Sequence, residues 1–214
     1  MSKKTEREGV SQMSSRAGII RGLTVIFCAK LLVSQARPAS AQKLNVNFDV
    51  SGTSTVRGWT CSVSGVMDVT AGTGAAAKPA PGFTTGVQTA TLTVPVKGFK
   101  CPEEEMGKHL LTAIKADKFA DIVFRLVKYE VMPGGGRGQG PDTQAQVTGT
   151  LTITGVPQPV TVPVTLRTTD QGVQFEGNAR LELMKFRIEP PVVMLGLFKV
   201  GPQIRIDFKG VAPR

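Results

Sequence analysis

Catalytic equipment is scarce in this chain. Its 214 residues contain one Trp, one Tyr, one His and three Cys. The single histidine, His109, has no partner pattern around it, and no Gly-x-Ser-x-Gly, His-Glu-x-x-His or Cys-x-x-Cys occurs. A nucleophile triad and a zinc site with the usual ligands are therefore not expected. No catalytic residue, metal ligand or cofactor is assigned, and the chain is read as a non-enzyme. Long apolar runs are missing as well. No stretch reaches the ~18 uninterrupted apolar residues of a membrane-spanning helix, so none is expected in the mature chain. Clustered basic residues interleaved with stacking aromatics are absent too, which argues against nucleic acid as a partner.

What is present begins with an amino-terminal leader. Arg16 and Arg21 form a positive flank, Leu23 to Ala29 and Leu31 to Val33 an apolar stretch, and Ala39-Ser40-Ala41 a run of small residues suited to cleavage. That layout is a secretory signal peptide over residues 1–41, placing the mature domain, residues 42–214, in the periplasm or outside the cell. The alternative is a short retained anchor helix. Cys28 follows the bulky Phe27, which disfavours acylation there. The residues before Met13 add length and mixed charge that export does not need, so Met13 is expected to be the true start.

Removing the leader changes two counts. Seven Lys/Arg and two Asp/Glu lie in residues 1–41, so half of the whole chain's net charge of +10 leaves with it. Cys28 leaves as well, and Cys61 and Cys101 remain. An even pair in an exported chain reads as a disulfide; the alternative is two buried free thiols.

The mature chain is dominated by period-two patterns. Leu44, Val46, Phe48 and Val50 alternate with Asn45, Asn47 and Asp49, and Trp59, Cys61 and Val63 with Thr60, Ser62 and Ser64. Further strands are expected at Val87–Val96, Ile122–Tyr129, Val147–Thr154, Val160–Arg167, Val173–Leu183 and Gln203–Val211. With 24 Gly and 14 Pro marking turns, about eight short strands imply an all-β sandwich or barrel. One segment differs. Pro102 and Glu103-Glu104-Glu105 open a stretch in which Met106, Leu110, Ala113 and Ile114 recur at helical spacing. An amphipathic helix is expected over about 102–116, closing one end of the β structure, with His109 on its surface and Glu104–Lys108 as an i,i+4 pair. Gly72–Gly86 and Pro133–Gln146 read as mobile loops. The glycine run at 134–138 lacks the Lys-Ser/Thr of a phosphate loop.

A closed β structure without catalytic groups can hold something. A barrel of about eight strands has room for filling side chains or one small ligand, and an apolar guest is favoured by ~0.8 kcal/mol per buried CH₂.

Four stretches carry a resemblance. They are Gly52-Thr53-Ser54-Thr55-Val56-Arg57-Gly58-Trp59-Thr60; Met106 to Phe124, including Ala113-Ile114-Lys115-Ala116-Asp117-Lys118-Phe119-Ala120-Asp121-Ile122-Val123-Phe124; Gly149-Thr150-Leu151-Thr152-Ile153-Thr154-Gly155-Val156-Pro157-Gln158-Pro159-Val160; and the closing run Phe175–Phe208. Over about residues 43–211 the chain resembles the YceI-like family, exported bacterial proteins with a lipocalin-like barrel that bind polyisoprenoid or related lipids. The third stretch is the most specific. Arg57-Gly58 stands where the family often has His-Asp, and Ala120-Asp121 where it often has Pro.

The resemblance implies an antiparallel lipocalin-like barrel of about eight strands around a long apolar tunnel capped near the helix. The lining residues it implies are Phe48, Trp59, Ile122, Phe124, Leu126, Leu181, Phe186 and Leu195, with Arg57 or Arg187 to meet a phosphate if the lipid carries one. The expected partner is an apolar lipid or isoprenoid, held in a carrier or sequestering role, and a homodimer is among the assemblies allowed. Two other readings stand beside it: a structural or adhesion sandwich with a filled core, and an enzyme acting on an isoprenoid-like substrate.

Overall fold

The computed structural model describes residues 41–72, 78–80, 83–132, 142–193 and 198–213. Residues 1–40 of the expected leader, with Met13 and Cys28, lie outside these, as does Leu195.

Ten strands are described: β1 Ala41–Ser54, β2 Gly58–Ala71, β3 Lys78–Ala80, β4 Phe83–Pro95, β5 Asp121–Val131, β6 Thr143–Ile153, β7 Val156–Thr169, β8 Gly172–Glu182, β9 Val192–Val193 and β10 Phe198–Ala212. Eight of them follow one another around an antiparallel sheet, β1-β2-β4-β5-β6-β7-β8-β10, and β10 pairs back onto β1. That last ladder, running from Val46↔Gly210 through Phe48↔Phe208 to Gly52↔Ile204, closes the barrel and leaves it without long free edges. The sandwich alternative is thereby set aside. The short β3 and β9 pair with β4 and β10 respectively, outside the closed ring.

Alternation fixes which side chains point inward. Along β1, Leu44, Val46, Phe48 and Val50 are buried while Asn45, Asn47 and Asp49 are exposed. This is the half-buried strand that the sequence pattern dictates, since successive side chains point to opposite faces. Two buried clusters result. One, around Val50, Val96, Ile114, Ile153, Leu183 and Phe186, lies at the end nearest the helix. The other, around Leu44, Val46, Val63, Val69, Val164 and Phe175, occupies the opposite end.

Turn chemistry shapes the helix end. Thr154 and Gly155 take positive φ values of 50° and 73° between β6 and β7, the geometry a two-residue hairpin with right-handed strand twist requires. Thr154 Oγ1 donates to the carbonyl of Phe186 at 2.5 Å, tying this hairpin to the 3₁₀ turn Leu183–Phe186 that follows β8.

The helix α1 spans Glu104–Ala113, shorter at both ends than the sequence suggested. Pro102 and Glu103 precede it in extended or bend geometry. At its other end Lys115 turns left-handed at φ 54° while the amide of Ala116 donates to Leu111 O at 2.9 Å, a termination that satisfies late carbonyls. Two loop expectations need correction. Residues 78–80 and 83–86 belong to β3 and β4, and residues 143–146 to β6. Their Gly, Thr and Gln content weakens the hydrophobic alternation, but backbone pairing such as Gln144↔Thr165 and Ala145↔Val164 does not depend on it. Residues 73–77, 81–82 and 133–141, including the glycine run, lie outside the described residues.

Candidate ligand-binding site

The barrel interior is not filled. A chamber of 490 Å³ lies beneath the helix, and a second of 250 Å³ extends it toward the opposite end. Phe48, Leu92, Leu151 and Ile206 line both, forming a waist between them. The lower chamber is walled by aliphatic and Phe side chains plus Tyr129, whose hydroxyl accepts a hydrogen bond from the Val87 amide at 3.2 Å. Phe48 and Phe208, cross-strand partners, stack at a tilt with ring centroids 6.2 Å apart. Such walls favour apolar contents and offer no polar hold on them.

The mouth of the upper chamber is where polar groups gather. Met106, His109, Leu110 and Ala113 line it from one face of α1, as residues three and four apart on a helix must. Opposite stands the β1–β2 turn. There Ser54 Oγ donates to Arg57 O at 2.8 Å, and the Ser54 amide donates to the same carbonyl at 2.9 Å. This local closure fixes Arg57, whose guanidinium Nη2 donates to Glu103 Oε1 across the mouth. On the helix, Lys108 bonds Glu105 at 2.8 Å and Glu104 at 3.1 Å. The hydrogen bond from Lys108, reinforced by its charge, holds the Glu105 carboxyl below its usual range.

The helix is anchored to the wall at its start. Cys61 and Cys101 are joined by a disulfide with Cα atoms 4.3 Å apart. Beside it, Ser62 and Lys100 exchange backbone hydrogen bonds of 2.8 Å in both directions. Cys61 is 1% exposed and faces the upper chamber, with Met106 Sδ 3.8 Å from its sulfur.

A YceI-like domain family model matches residues 38–212. The chain belongs to the YceI-like family. Two solved structures show the same fold. A polyisoprenoid binding domain from Saccharophagus degradans aligns with a TM-score of 0.53 and 14% identity, covering 82% of this chain and 99% of that one. Burkholderia cenocepacia BcnA aligns with a TM-score of 0.51 and 22% identity, covering 77% of this chain and 96% of that one. No curated protein matches the sequence.

Within this YceI-like barrel, the residues expected to line a tunnel separate into groups. Phe48 borders both chambers, Trp59 and Ile122 the upper one, and Phe124, Leu126 and Leu181 the lower one. Phe186 borders neither. It is 2% exposed and packs in the upper core cluster, because strand alternation stops at Glu182 and the 3₁₀ turn redirects the side chains that follow. Arg187, left-handed at φ 56°, caps that turn, is exposed and also lines neither chamber. Arg57 does reach the mouth, already engaged by Glu103.

Residues that the sequence reading left off the site are Glu103, Glu105, Met106 and His109. A signal for His109 was available: it lies three residues after Met106, on the apolar stripe rather than opposite it. Trp59 has one further feature. Its Nε1 is buried and has no hydrogen-bond partner among the described residues.

Proposed function

We propose that this protein is exported and holds a long apolar lipid, isoprenoid-like in character, inside its barrel, as a carrier or a sequestering protein rather than an enzyme. The observation that carries the reading is the pair of adjacent, largely apolar chambers of 490 and 250 Å³, which share Phe48, Leu92, Leu151 and Ile206 as wall. A barrel built only for stability would fill this space with side chains, since protein interiors pack to crystal-like density. An extended hydrocarbon suits two chambers joined by a waist better than a compact molecule does. The same-fold domain from Saccharophagus degradans is described as polyisoprenoid binding, which supports the chemical class.

Export is supported by the leader layout before Ala41 and by the Cys61–Cys101 disulfide, a bond that persists in oxidising compartments. Native mass spectrometry of the protein purified from its own cell envelope tests the reading. The expected result is a reproducible co-purifying lipid, removed by organic extraction and taken up again from solution. A protein that carries no lipid and binds none afterwards overturns it.

A further inference from the structure

We infer that the barrel selects lipids with an uncharged head over lipids of the same chain carrying a phosphate or carboxylate. This rests on the reading above that the interior holds an apolar lipid, and it adds what the mouth accepts.

Arg57 is the one cationic side chain among the described residues lining either chamber, and its guanidinium is bonded to Glu103. Glu105 lines the same mouth and is bonded to Lys108, which does not line the chamber. Around the mouth Glu103 is paired with Arg57, while Glu104 and Glu105 share Lys108, so this group of ion pairs leaves no cation free and holds one carboxylate in excess. Arg187 is exposed and lines neither chamber.

An anionic head has two places to go, and both are unfavourable. Drawn inside, it leaves water and meets no free cation, and a buried charge without a partner is strongly disfavoured. Kept outside, it finds Arg57 and Lys108 already engaged and sits beside a group with one carboxylate in excess, where like charge opposes binding. It also holds the tail outward, so that methylenes which would fill the apolar chambers stay in water. A hydroxyl or carbonyl head meets neither difficulty. It can lie at the rim beside His109, a side chain able to donate or accept a hydrogen bond.

Two probes of equal tail length test this, geranylgeraniol and geranylgeranyl monophosphate, titrated into delipidated protein. Emission from Trp59 serves as the readout, because it is the chain's only tryptophan and forms part of the chamber wall. The alcohol is expected to bind at least about tenfold more tightly, the loss that withdrawing roughly two methylenes from the chambers produces. Replacing both carboxylates, Glu103→Gln with Glu105→Gln, should shrink the ratio by freeing Arg57. Arg57→Gln should widen it. A merely structural role for these residues would move the ratio the same way in both variants, or not at all. Equal binding of the two probes, or tighter binding of the phosphate, overturns the selection while leaving the lipid-binding reading intact. Binding of neither overturns both.

Discussion

A Cβ atom placed on Gly52 would lie 2.5 Å from Cζ2 and 2.7 Å from Cε2 of Trp59. The two residues are cross-strand partners in the β1–β2 ladder, and the indole lies across the glycine at the barrel mouth. Glycine at 52 is thus what lets the largest side chain of the upper chamber lie flat against the wall.

Gly52→Ala should push the indole away from that wall. Overpacking of this kind typically destabilises by ~1–3 kcal/mol. The expected result is a lower thermal midpoint with a shifted Trp59 emission maximum. Unchanged emission would show that the ring does not depend on the glycine. Trp59→Ala, by contrast, removes a half-buried ring from a chamber wall. It should weaken lipid retention more than it weakens folding, and equal losses in both would refute a role in the pocket.

The disulfide joins the barrel wall to the start of the helix across a sequence separation of 40 residues. Replacing both cysteines by alanine should destabilise by about 4 kcal/mol on the chain-entropy account of such a loop. Chemical denaturation of the oxidised protein and the double variant measures this. A difference near zero would mean that the Ser62–Lys100 backbone pair holds the helix start by itself.

Phe186 and Phe124 separate what was legible in the sequence from what was not. Both are apolar and both were expected to line a tunnel. Along β5 the period-two pattern continues, and Phe124 and Leu126 face the lower chamber. Even the β-bulge between Leu126 and Lys128, which turns Val127 outward to 68% exposure, left those two inward. Beyond Glu182 the strand ends, and counting alternate residues across a 3₁₀ turn has no physical basis. The closed ring was legible for the same reason that Phe124 was, since a buried face repeats on every strand. The charge pairing at the mouth was not, because Arg57 and Glu103 lie 46 residues apart and meet only through the fold. Strands as short as Val192–Val193 leave no pattern to read. From these placements, Phe186→Ala should cost ~3–5 kcal/mol of stability with little change in the ratio of ligand affinities. Phe124→Ala should alter lipid affinity instead. Thermal melts and lipid titrations on both variants check the contrast, which a similar profile for the two would remove.

Acid should act on the barrel through surface carboxylates. Asp142 is held below its ordinary value by two hydrogen bonds from Arg167, at 2.8 and 2.6 Å. Asp207 is held low by Arg205 in the same manner. A carboxyl whose folded-state value is depressed contributes stability that is present above its unfolded value, about 4, and lost as pH falls through the folded one. For these pairs the stability should therefore be level at neutral pH and decline only below about pH 4. Asp142→Asn should lose little at acid pH, since protonation there has already removed the same interaction. A decline centred near pH 6 would show that these carboxylates do not set the acid response.

The waist between the chambers offers the sharpest test of how a chain is held. Leu151 faces both chambers from β6, opposite Phe124 in the β5 ladder. Leu151→Phe adds volume where the passage is lined by Phe48, Leu92 and Ile206. If a lipid threads both chambers, closing the waist excludes its distal methylenes from the lower one, each worth ~0.8 kcal/mol when buried. Affinity for a twenty-carbon isoprenoid alcohol should then fall steeply, while a ten-carbon homologue, short enough for the upper chamber, should bind nearly as before. Isothermal titration with both alcohols reads this directly, and a thermal melt of the variant separates it from simple overpacking. A parallel loss for both chain lengths would place the lipid wholly in the upper chamber and leave the lower one as ordinary, loosely packed core.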